Sequence, residues 1–239
     1  MELPWSATLA WWGTAWLRGH VVTDELLDAL GPHHAARGLP DDPGPRPLLD
    51  LLVAARRAGA DAVGLALPVE GDPVGLGGPR AFNDAALASG EGVVLVGTGH
   101  GAVPVDAGDL IEWWWHSAEL RQLPDVGESD RALRAAFTDA ATALAALDVA
   151  RWRPEAADLL MNLRNPPAAD APAGTPTRCV ELAARGLLAR SVVAVALEDD
   201  GGAVSSYEMT ARREALRPLD RAGLRAVVAA CSPEVWPSR

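Results

Sequence analysis

Residues 59–96, GADAVGLALPVEGDPVGLGGPRAFNDAALASGEGVVLV, decide the fold class. The runs at 62–67 and 92–96 are apolar, too short for helices and bounded by Pro or Gly, so both read as strands. A glycine-rich loop and a short helix over 79–88 lie between them. That connection of roughly two dozen residues, with its helix, allows the two strands to run parallel, and a right-handed crossover is then expected.

Further strands are expected at 102–106 and 110–116, joined as a hairpin through Ala107-Gly108. Pro104 cannot donate to a ladder, which places its strand at a sheet edge. Upstream, Ser6 reads as the cap of a helix stopped by Gly19, with Trp5, Leu9, Trp12 and Trp16 on one face. A second helix begins at Thr23, and a third follows Pro47 with Leu48, Leu51, Leu52 and Ala55 inward. The proline-rich segment 33–47 between them reads as a loop.

Beyond residue 125 the pattern is helical. Leu133, Phe137 and Ala140 begin a bundle seam, and another helix opens at Pro154. A nearly all-apolar helix spans 176–197 and ends at the Glu198-Asp199-Asp200 cluster. Ser205 and Glu208 form a capping box for the next helix, and Pro218 should break it before a last helix reaches Ala230. The expected fold is α+β: a small mixed sheet of about four strands with flanking helices, then a helical C-terminal half. The halves, residues 1–124 and 125–239, are expected to pack as one unit.

The 239 residues carry a formal charge of −11 and 21 basic side chains, all of them Arg. Lysine-based nucleophiles, bases and phosphate-loop contacts are therefore ruled out. Residues 1–120 hold a net charge of −10, which disfavours nucleic acid and anionic lipid as partners. The uncharged stretch 3–17 is too short to span a bilayer. Cys179 and Cys231 suggest no disulfide framework, which fits a reducing cytoplasm. The five histidines, at 20, 33, 34, 100 and 116, show no i, i+4 metal-ligand spacing. No serine occupies a nucleophile elbow and neither cysteine has reactive surroundings, so no catalytic residue, metal or cofactor is expected.

Two features could bind something. The first is the glycine-rich loop, where Gly75, Gly77 and Gly78 precede Arg80 at a helix start, with His100 and His116 in the strands beyond. Backbone N–H groups and a guanidinium there could hold a small anion, although an ordinary glycine turn explains the same residues. The second is tryptophan: nine Trp stand beside one Tyr and two Phe, clustered at 5–16 and 113–115. Strand alternation puts Trp114 on the opposite face from Trp113 and Trp115, and Trp11 lies off the helical stripe. Trp11 and Trp114 are therefore the candidate interface residues, with burial on both faces as the competing reading. The expectation is a cytoplasmic, non-enzymatic interaction protein that self-associates through tryptophan. The alternative is an enzyme or sensor for a small anionic ligand.

Overall fold

A computed structural model describes residues 3–119, 123–146, 169–198 and 206–236. Six strands form one mixed sheet: β1 (His34–Arg37), β2 (Arg46–Pro47), β3 (Val63–Ala66), β4 (Gly92–Leu95), β5 (His100–Asp106) and β6 (Ile111–Ser117). Their spatial order is β2-β1-β6-β5-β4-β3. The fold is α+β, with six strands in place of about four.

Strands β3 and β4 are antiparallel, with Ala66 opposite Gly92, so the parallel crossover that the connection length allows is not formed. The connection spends its length doubling back instead of crossing over. Leu67 N–H bonds the Val74 carbonyl, and Val69 and Asp72 exchange bonds. Gly75 is thereby pressed against the start of the same turn: a Cβ there would lie 2.6 Å from the Ala66 Cα. The parallel pair is β1 with β6.

Strands β1 and β2 fall in the segment read as a loop. Alanine has little strand preference, and β1 exists because Ala35 and Ala36 bury against β6. β2 ends in Pro47 at the sheet edge, where no ladder bond is lost. Pro104 sits in an interior strand, not an edge one, yet beyond the end of β4, and its carbonyl accepts from Ser89 Oγ at 2.6 Å. The β5–β6 hairpin closes as expected, with Ala107 N–H bonded to the Leu110 carbonyl.

Helix α1 (Trp5–Leu17) crosses the sheet, flanked by α2 (Thr23–Leu30) and α3 (Leu48–Arg57). Its cap is Pro4 and not Ser6. The Glu91 carboxylate instead accepts the Ser6 N–H at 2.7 Å from across the structure. Helix α4 (Arg80–Ser89) lies on the opposite face, burying Phe82 and Ala86 against Val94, Val103 and Ala118.

The C-terminal half packs α5 (Val126–Ala146), α6 (Thr177–Glu198) and α7 (Ser206–Ala230), with a short 3-10 turn at Pro233–Val235. Leu133 and Ala140 are buried in the α5 seam. The helix expected from Pro154, the 198–200 acidic cluster and Ser205 fall wholly or partly outside the described residues. Pro218 does not break α7. It points to solvent, and the buried Leu216 and Leu219 hold the helix on either side of it.

One hydrophobic cluster runs from Leu9 and Trp11 through the sheet to Cys231. Asp72, buried in the β3 loop, receives a bidentate bond from Arg225 of α7 at 2.9 and 3.1 Å. Ser232 Oγ accepts the Leu65 N–H, and Thr14 Oγ1 both accepts from Val63 N and donates to Val63 O. The outer edge of β3 is thus sealed by side-chain hydroxyls.

Candidate functional site

The sheet has two unequal faces. α1, α2 and α3 cover one, burying Trp113 and Ile111. On the other, α4 packs on β5 and on the C-terminal end of β6, where Phe82 meets His116, and leaves the rest of β6 uncovered. Trp114 and Glu112 project from β6 on this side, in register with Val103 and Val105 of β5 and with Arg37 and Ala35 of β1. Among the described residues no helix covers the β6–β1 end. Trp114 is 42% exposed and Val105 44%. Beside them Arg37 Nε donates to Glu112 Oε1 at 2.8 Å, and its Nη2 reaches the same oxygen. The Glu112 carboxylate is largely shielded, so this ion pair lies flat on the sheet next to the indole.

Trp11 needs correction. It is fully buried, and its indole N–H bonds the Ala230 carbonyl at 3.1 Å. Helix α1 is enclosed on nearly every side, so an off-stripe position on it is still a core position. Trp5, assigned to the inward stripe, is 40% exposed at the helix start.

Gly75, Gly78 and Arg80 of the glycine-rich loop are held by the fold's own contacts. Gly75 is buried against β3, Gly78 N–H bonds Asn83 Oδ1 at 3.1 Å, and Gly77 is exposed. The Glu119 carboxylate stands 3.5 Å from where a Gly78 Cβ would be, and a carboxylate there repels an anion. Arg80 extends into solvent and pairs with Asp84 one helical turn on.

His100 and His116 do not converge on this loop or on each other. They leave adjacent register positions on opposite faces of the sheet. His100 stacks against Trp115 at 4.9 Å between ring centroids, whereas His116 meets Phe82 at 6.1 Å. Burial holds His116 below the ordinary histidine range.

Among the described residues no cluster of three or more His, Cys, Asp or Glu could hold a metal ion. Burial pushes the Cys179 thiol up to about 11 and Cys231 well above its usual value, so both are neutral thiols at pH 7. Sequence reasoning missed the Arg37–Glu112 pair, because strand β1 that carries Arg37 was not recognised. No helix among the described residues is long and apolar enough to cross a membrane.

Comparison with known proteins adds a family. The chain is 29% identical to the uncharacterized protein Rv1486c of Mycobacterium tuberculosis strain H37Rv, covering 97% of this chain and 98% of that protein. It is likewise 29% identical to the uncharacterized protein MT1533 of strain CDC 1551, over the same shares. Neither name carries an activity. No solved structure matches. Residues 6–128 match the N-terminal domain of the Rv1486c-like proteins and residues 127–228 their C-terminal domain. The chain belongs to the Rv1486c-like protein family.

Proposed function

We propose that this chain is a non-enzymatic interaction protein that associates with a second copy of itself through the open end of its sheet, with Trp114 as the anchor. The observation that carries this reading is the exposure of Trp114 beside Val105 on a face that α4 leaves half covered. An exposed indole on a rigid strand gives large contact area at little entropic cost, which is why tryptophan is enriched at binding hot spots. The flat Arg37–Glu112 pair supplies a polar border without a net charge that would repel an identical surface. Two buried, free cysteines fit a cytoplasmic setting.

Sedimentation velocity over a concentration series tests the reading. The wild-type chain is expected to sediment as a dimer or larger, and Trp114→Ser as a monomer with unchanged circular dichroism. A wild-type chain that stays monomeric at about 100 μM, a concentration where even weak specific dimers populate, overturns it.

A further inference from the structure

The C-terminal end of α1, the segment 173–176 and the turn Pro233–Val235 enclose a cleft of about 270 Å³. It lies between the two halves of the chain, a common place for small-molecule sites. Trp236 forms its apolar wall, with the buried Trp11 and Pro233 packed behind and beside it. Both indole N–H groups are committed to the same acceptor, the Ala230 carbonyl, at 3.1 and 2.8 Å. The Trp236 ring therefore offers the cleft carbon surface and no donor.

Polar character comes from the rim, where Arg18 and His20 line the cleft. Arg18 Nε donates to the Asp61 carbonyl at 3.2 Å, which anchors the guanidinium while its terminal nitrogens form no ion pair among the described residues. Among the described residues no carboxylate lines the cleft. This is unusual in a chain whose first 120 residues carry a net charge of −10. Gly174, with φ of 90°, lets the opposite wall turn tightly without a side chain filling the space.

We propose that this cleft binds a small organic carboxylate with a planar apolar body: the ring lies against the Trp236 wall, and the carboxylate takes the free edge of Arg18. An apolar wall alone would accept any hydrophobe, and Arg18 alone any anion. Their placement across a ring-sized cleft selects a molecule carrying both.

The test uses phenylacetate and its neutral isostere phenylacetamide as probes, with isothermal titration on the full-length chain. Phenylacetate is expected to bind saturably with a Kd at or below about 1 mM, and phenylacetamide at least roughly tenfold more weakly. Arg18→Gln, at an exposed position, should keep the wild-type melting temperature and abolish the difference between the probes. Trp236→Ala should weaken both. Absence of saturable phenylacetate binding, equal affinity for the two probes, or an Arg18→Gln variant that still prefers the carboxylate would each overturn the proposal.

Discussion

Gly186 and Gly223 meet where α6 crosses α7, so close that a Cβ on Gly186 would lie 2.8 Å from the Gly223 carbonyl oxygen and 2.9 Å from Val227 Cγ2. The reverse holds too, with a Cβ on Gly223 lying 3.0 Å from the Gly186 carbonyl. Backbone cannot step aside as a side-chain end can. At an exposed helix position Gly→Ala would stabilise by about 1 kcal/mol through propensity. Here the overpacking cost of roughly 1–3 kcal/mol outweighs it, so Gly186→Ala is expected to lower stability. Urea denaturation decides the sign, and a higher midpoint in the variant would show that the helices separate freely.

The two halves are clasped by Asp72 and Arg225. Asp72 is almost fully buried while Arg225 is half exposed, so removal of either partner has unequal consequences. Arg225→Ala leaves a carboxylate buried without its fork, and about 1–3 kcal/mol of destabilisation is expected after allowing for water reaching the vacated side. Arg225→Lys recovers only part, because a single ammonium cannot match both oxygens. A double-mutant cycle of Arg225→Ala with Asp72→Asn should show coupling; additive effects would mean that the pair is incidental.

Local signals in the chain identified most helices, the β5–β6 hairpin and the runs that became β3 and β4. Pairing direction was not among them, since it depends on Leu67 turning back to Val74 instead of entering a crossover. β1 was illegible because its alanines form a strand only through the partner β6, some 75 residues away. Of the candidate interface residues, the exposure of Trp114 was readable from strand alternation. Trp11 was not, since periodicity reports an inward face only for a helix that also has an outward one. The cleft at Trp236 was invisible for a similar reason: three distant segments build it.

Thr14 shows what sealing the β3 edge is worth. Its hydroxyl accepts the Val63 N–H at 2.9 Å and donates to the Val63 carbonyl at 3.2 Å, inside the core. Thr14→Val keeps the shape and orphans both groups, a loss of about 1–3 kcal/mol. Thr14→Ser preserves the hydroxyl and should recover most of it. Thermal unfolding of the two variants separates the hydrogen bonds from the packing: equal melting temperatures would mean the hydroxyl contributes nothing.

Stability should also fall in mild acid, and His34 is the reason to expect it. Trp113 Nε1 donates to His34 Nδ1 at 3.0 Å, which requires that nitrogen to be unprotonated. Burial, aided by the neighbouring His33, holds His34 below its ordinary 6.5, against an opposing backbone bond at Leu30. The unfolded chain therefore binds the proton first as pH drops. The stabilisation is complete above about 6.5 and is lost as pH falls from there through the depressed folded value. His116, lowered by burial, acts in the same direction. Glu91 is raised, chiefly by burial, and works oppositely in a more acidic window, from its usual 4.5 upward. Urea midpoints measured between pH 7.5 and 5 should therefore decline for the wild type and decline less for His34→Gln, whose amide does not titrate. A His34→Gln profile parallel to the wild type across that range would place the proton uptake elsewhere and remove the Trp113–His34 bond as its cause.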